Sequence, residues 1–366
     1  MSKNQRIEWI DIAKGIGIIL VVLGHCVVKT DYVHKFIFSF HMPLFFILSG
    51  YCFHAEKYSG IKEVFLKKAI ALLVPYFKFV LLGLIVTLII PGWREGLSLK
   101  GILTDLYLGY PSTVHITSIW YLVSLYGISV VFYILYLWAK KTERNIIIYI
   151  GVVLSGMAGY AIYIIKSLTG VSDNTAEVAS QIALPGGRLP LTIDASLMAL
   201  VFFALGVWIR KKKMLEFLTF KGIYAIIGFA LTTLLGVFLN VRVNIHGCSY
   251  GNILYFFACA LSGTIMVICL SQLLSENKSN IVNQVKKILL YYGKNSLFMF
   301  AMQSLFIHLF VYIINECTGK NYELYEDLPT IYGMIGFGVI TVVCLPLSHR
   351  LTIMIKRCGV RKYEQS

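Results

Sequence analysis

Ten apolar stretches, most of them near twenty residues long, leave this chain few ways to fold. A helix rises 1.5 Å per residue, so about 20 apolar residues cross the hydrocarbon core of a bilayer. The stretches lie at approximately 10–28, 36–54, 70–90, 118–138, 146–165, 195–209, 221–240, 252–274, 293–314 and 330–354. The sixth is short and needs its flanking residues. Hydrophobic residues make up 58% of the 366, charged residues only 14%, against roughly 25% charged in soluble domains. The expected fold class is therefore all-α: a polytopic membrane protein of about ten transmembrane helices, organised as one domain over 1–366.

Charge placement orients it. With an even number of spans both termini share a side. That side carries 23 Lys and Arg, from Lys3 and Arg6 through Lys57, Lys62, Lys67, Lys68 and Arg210 to Lys356, Arg357, Arg361 and Lys362. The opposite loops carry eight: Lys29, Lys35, Arg94, Lys100, Lys166, Arg188, Arg242 and Lys320. The positive-inside rule then puts both termini in the cytoplasm. It also accounts for the +15 net charge, which reflects topology and contact with an anionic lipid bilayer rather than nucleic acid. The eight cysteines have no paired or metal-type spacing, so they read as small buried hydrophobes and no metal is expected. The first span lacks a small-x-small cleavage site and does not read as a removable signal.

That first span, DIAKGIGIILVVLGH, carries ionisable groups where a span normally has none. Lys14 and His25 are eleven residues apart, about three helical turns, so they share a face at roughly 16 Å separation, with Asp11 one turn before Lys14. Intramembrane ionisable residues cost several kcal/mol and point to function. Lys14 alone could instead snorkel to the headgroups. The second span begins FSFHMPLFF. A short loop makes it an antiparallel neighbour of the first, so His41 can face the same outer cavity as His25. A lone interfacial His is more often a hydrogen-bonded structural group, and His41 alone would be read that way. Pro43 is expected to kink the second helix near its start, and Gly15, Gly17, Gly24 and Gly50 to serve helix packing.

Lys62, Lys67 and Lys68 precede the third span. They serve topology, or they dock an anionic group such as the phosphates of coenzyme A. Trp120 opens the fourth span as a belt anchor or a site residue, and Asp194 opens the sixth as a cap or a functional carboxylate. Asn295 and Ser296 open the ninth, which carries Gln303 and His308; Gln303 needs a polar partner.

Taken together, DIAKGIGIILVVLGH, SFHMPLFFILSGY, the basic stretch before VPYF, SIWYLVSLYG, IDASLMALVFFALG, YGNILYFFACALSG and GKNSLFMFAMQSL resemble the acyltransferase family 3 integral-membrane proteins, most closely the fucose 4-O-acetylase-like branch. The likeness runs from about residue 6 to 350. It implies an O-acyltransferase of the cell membrane, by resemblance a bacterial plasma membrane. Such an enzyme moves an acyl group, usually acetyl, from cytoplasmic acetyl-CoA or another acyl-CoA to a hydroxyl of a cell-surface or lipid-linked glycan. It maps the catalytic residue onto His25 and pairs it with the basic residue at Lys14; the residues themselves add His41 as a companion of His25 and Lys14, Lys67 and Lys68 as the expected cofactor-binding group. Asp11, Trp120, Asp194, Asn295, Ser296 and Gln303 take supporting roles. Two departures stand out: the family more often has Arg where this chain has Lys14, and often His where it has Gln303. If that His assists catalysis elsewhere, His41 or His308 must take its place here, or the chain is an inactive relative. A different class, a transporter or flippase of a glycan or lipid-linked sugar, fits ten spans with polar groups at mid-depth. It would be favoured by internal symmetry, which the sequence does not display.

Overall fold

The computed structural model describes residues 7–28, 31–168, 188–322, 328–350 and 353. Lys3, Arg6, Lys29, Lys356, Arg357, Cys358, Arg361, Lys362 and positions 351, 352 and 354 of the tenth expected span lie outside them. Among the described residues ten helices are long and apolar enough to cross a membrane, and no strand forms beyond one isolated bridge, Asn244 to Ser249.

The elements used below are α1 (Glu8–Cys26), α2 (Tyr32–Phe38), α3 (His41–Tyr51), α4 (Ile61–Lys68), α5 (Val74–Ile89), α6 (Leu99–Leu108), α7 (Trp120–Thr142), α8 (Ile146–Leu168), α9 (Ile193–Lys211), α10 (Lys221–Thr232), α11 (Ile253–Glu276), α12 (Asn280–Lys294), α13 (Ser296–Thr318) and α14 (Thr330–Val339). The helix boundaries follow the expected spans to within a few residues at most ends. The third is the exception. The basic stretch is itself helical, and α4 runs through a π-helical turn, Ala69–Leu73, into α5, so that candidate span begins at Ile61.

The second span is broken, but not at Pro43. α2 and α3 are separated at Ser39 and Phe40, and Pro43 sits in the first turn of α3. A proline ring meets the carbonyl four residues earlier, here that of Ser39, so the interruption falls just where a continuous helix would clash. In the first turn the missing N–H has no intrahelical partner to lose.

α1 to α3 and α9 form the centre. Within its most apolar window the α2–α3 span is 78% buried, whereas α8 is 6% buried and presents its apolar side chains outward, as a lipid-facing helix does. The α3–α9 contact is backbone to backbone. A Cβ at Gly50 would overlap the carbonyl oxygen of Phe203, and one at Gly206 would overlap that of Ile47. Small residues let helices approach this closely without a hydrophobic drive between them. α1 and α12 meet the same way at Gly293 against the Asp11 carbonyl. α1 meets α3 directly at Gly17, where an added Cβ would stand 2.8 Å from the Phe45 ring and 3.3 Å from the Leu44 side chain, so the helices that carry His25 and His41 lie side by side.

Candidate active site

His25 lies in the last turn of α1, and His41 begins α3. Both line a cavity of about 720 Å³, within the size range of small-molecule sites. Phe38 of α2 stands between them. Its ring meets the edge of His25 at 5.6 Å and that of His41 at 4.7 Å, centroid to centroid. His41 Nδ1 donates to the Ile37 carbonyl at 2.9 Å. That bond leaves the lone pair on Nε2, the arrangement a proton acceptor requires. The expectation that His25 and His41 share one cavity therefore holds in the geometry.

Two loops complete the wall. Residues 109–116 follow α6, and the buried Asp105 gathers them. Its carboxylate accepts from Ser112 Oγ at 2.9 Å and from Thr113 N at 2.6 Å. Burial raises the Asp105 pKa above the usual carboxylate range, and those hydrogen bonds oppose the shift. The loop delivers Tyr110 and His115 to the cavity. His115 adopts a left-handed conformation, φ +58°, uncommon outside glycine and a form of backbone strain that concentrates at functional sites. Its ring stacks on Trp93 at 4.0 Å and meets His308 edge-on at 5.2 Å. Burial, with His308 beside it, lowers the His115 pKa to about 4.

The second loop, 240–252, brings Arg242 and His246. His246 lies against Tyr110 and Trp120, with ring centroids at 4.3 and 4.8 Å. Arg188 grips it from behind: one guanidinium nitrogen is 2.6 Å from Nε2, and another donates to the His246 carbonyl. Burial and the Arg188 charge hold His246 well below the usual imidazole range, so it is neutral at physiological pH. Arg188 is itself neutralised by Asp194. Asp194 is thus a buried ion-pair partner in the first turn of α9, where its carboxylate also accepts from Ala195 N at 2.9 Å.

Gln303 finds the polar partner it needs. Its Nε2 donates to Ser118 Oγ at 3.2 Å, while the adjacent Ser304 hydroxyl accepts from Thr117 N at 3.0 Å. Neighbouring side chains of α13 thereby pin the start of α7, which puts Trp120 into the cavity wall. Gln303 does not itself line the cavity, whereas Ser118, Trp120 and His308 do.

The other candidates lie at the opposite end of α1. Lys14, Asp11, Lys68 and Arg210 all act electrostatically on the exposed thiol of Cys52. The Lys68 ammonium sits 4.9 Å over the Phe53 ring. Arg210 donates to the Phe53 carbonyl at 3.0 Å and meets Glu56 at 3.3 Å. Lys67 does not join this group; it is exposed and paired with Glu63 at 2.5 Å. Asn295 donates to the Tyr291 carbonyl at 2.8 Å and joins α12 to α13, and neither it nor Ser296 lines the cavity.

His34, His115 and His246 are not expected from the sequence, and Arg188, Arg242 and Arg210 are expected only as topology-setting charges. One signal was present. Of the eight histidines, five line this cavity, at positions 25, 41, 115, 246 and 308, and His34 lies directly behind. Histidine gathers at one end of the helices while lysine dominates the other.

The chain matches the acyltransferase-3 family, described as an acyltransferase domain, over residues 7–349. No curated protein and no solved structure matches it. With the match spanning nearly the whole chain, and ten helices suited to a bilayer carrying a histidine-lined cavity, this protein belongs to the acyltransferase-3 family of membrane acyltransferases.

Proposed function

We propose that the protein is a membrane O-acyltransferase that takes an acyl group, acetyl by resemblance, from cytoplasmic acyl-CoA and places it on a hydroxyl of a cell-surface or lipid-linked glycan. One observation carries the reading: a single helix bears a cation at one end and, about 16 Å away, a histidine that opens into a polar cavity. Lys14, Lys68 and Arg210 all lie within electrostatic reach of Cys52, a cationic group for the phosphates of the donor. Arg210, held by Glu56 and the Phe53 carbonyl, adds a fixed guanidinium charge to the group, where Lys14 keeps the charge but not the bidentate fork of an arginine.

In this mechanism the acceptor hydroxyl gives its proton to His25 as its oxygen attacks the thioester carbonyl. The C–S bond breaks, an ester C–O bond forms, and the proton passes to the departing thiolate. His41, which lines the same cavity and keeps the lone pair on Nε2, holds the acceptor or orients His25. Trp120, Tyr110 and His246 form an aromatic stretch of wall against which a sugar can lie, and Ser112, Ser118 and Asn244 supply hydroxyl and amide groups among the lining residues. The membrane localisation follows from the spans, and their orientation from the positive-inside bias.

The test is acyl transfer from radiolabelled acetyl-CoA in membranes holding the protein or its His25→Ala variant. General-base catalysis contributes typically 10²–10⁴-fold, and a loss of that order is expected with insertion intact. Full transfer by His25→Ala overturns the mechanism. Parent protein that moves a lipid-linked sugar across vesicles while transferring no acyl group reveals a flippase instead.

A further inference from the structure

We infer that His34 is a positioning residue for His25, capping the last turn of α1 in the single tautomer that Arg242 selects. The inference rests on the reading of His25 as the base.

His34 is fully buried and does not line the cavity. Its Nδ1 lies 2.9 Å from the carbonyl oxygen of Gly24, the residue before His25. Its Nε2 lies 3.0 Å from Nε of Arg242. An arginine Nε–H can only donate, so Nε2 must accept. Nδ1 must then carry the hydrogen and donate to the Gly24 carbonyl. One neutral tautomer satisfies both contacts, and the other satisfies neither.

The place it holds is a weak one. α1 ends at Cys26, and Val27 is extended, so the Gly24 carbonyl is among the last four, which have no partner within the helix. Without an acceptor's partner there, the turn bearing His25 frays first. α2 supplies that partner and packs tightly against the same turn, with Ile37 and Phe38 each 3.1 Å from where a Cβ at Gly24 would stand. His34 also stacks on Phe38 at 3.8 Å and 16°. Phe38 also meets His25 and His41 in edge-type contacts, and the Arg242 guanidinium lies 5.4 Å from its ring. His34 thus fixes the backbone before His25 and backs the ring against which His25 rests.

Asparagine and glutamine separate the two nitrogens. In His34→Asn the amide N–H takes the place of Nδ1–H and can still reach the Gly24 carbonyl. In His34→Gln the amide reaches the place of Nε2 and that donor is lost. The readouts are kcat and donor KM for acyl transfer, and the rate at which diethyl pyrocarbonate modifies His25, followed by peptide mass spectrometry. A misplacement near 1 Å costs on the order of 10²-fold. His34→Ala and His34→Gln should therefore lower kcat roughly 10- to 100-fold at unchanged donor KM, with a changed His25 modification rate. His34→Asn should stay within about three-fold of the parent in both readouts.

Asn and Gln variants that behave alike overturn the proposal, as does parent-like kcat in His34→Ala. A fall in kcat with unchanged His25 reactivity overturns it too. If His25→Ala retains transfer, the base reading falls alone, and the His25 modification rate, which needs no turnover, still decides whether His34 positions it.

Discussion

Arg188 and Asp194 form a two-pronged ion pair behind the cavity wall, Nε to Oδ2 at 3.0 Å and Nη2 to Oδ1 at 3.2 Å, with side chains 5% and 1% exposed. A charge pair removed this far from water is held by mutual geometry, and losing one partner leaves the other without compensation. Here the pair also anchors His246, so its integrity shapes the cavity as well as the fold.

Asp194→Asn should destabilise the protein by about 3–5 kcal/mol, the cost typical of breaking a buried pair. The check is thermal unfolding of detergent-purified protein. Replacing both partners with apolar residues of similar volume should recover most of that loss, while transfer stays low because His246 is no longer gripped.

The α3–α9 crossing makes a separate prediction. A side chain at Gly206 must push its helix away from the Ile47 carbonyl, and overpacking of this kind costs about 1–3 kcal/mol. Gly206→Ala should lower the melting temperature measurably, and Gly206→Leu should abolish monodisperse protein in size-exclusion chromatography. Gly222→Ala, where nothing lies within 4 Å of the added carbon, is the matched control.

His115 predicts a pH dependence of stability. Its pKa falls to about 4 in the folded chain through burial and the nearby His308, against about 6.5 when unfolded. Between those values the unfolded state binds the extra proton. The contribution is therefore fully present above pH 6.5 and is lost as pH falls towards 4, by up to about 3 kcal/mol. Melting temperatures from pH 7 to pH 4 should drop less steeply for His115→Gln than for the parent.

The two neighbouring lysines should separate functionally. Lys68→Ala and Arg210→Ala each remove a cation from the group around Cys52. At 1.5–3 kcal/mol for a hydrogen bond to a charged group, each should raise the KM for acyl-CoA by roughly ten-fold or more. Lys67→Ala removes only an exposed i,i+4 pair with Glu63, worth about 0.3–0.5 kcal/mol to the helix, and should leave that KM unchanged. Equal effects at 67 and 68 would show that the donor contacts both.

Span number, all span boundaries but the start of the third, the charge bias between the two sides and the Lys14–His25 face were legible in the sequence. The reason is that each depends on short-range quantities: the length of an apolar run, the local density of cations, the 3.6-residue period of one helix. His41 could be placed beside His25 because the connecting loop is too short for any arrangement other than neighbours. Even the break in the second span had a visible cause in Pro43, although its position four residues earlier follows from where the ring meets the backbone.

Which residues share the cavity was a different kind of question. His115, His246 and Arg242 lie on loops whose own sequence has no periodicity to read. They reach the site because Asp105 folds one loop, Arg188 grips the other, and Gln303 and Ser304 pin the start of α7. The separation of Lys67 from Lys68 came from the α4 face each occupies. The sequence by itself determined that ten helices cross a bilayer and that one carries a cation and a histidine on one stripe, since burial in lipid demands continuous apolar helices. Only the tertiary structure decided that five distant histidines line one cavity with a sixth behind it, because that assembly depends on contacts such as that of Arg242 with His34, 208 positions apart.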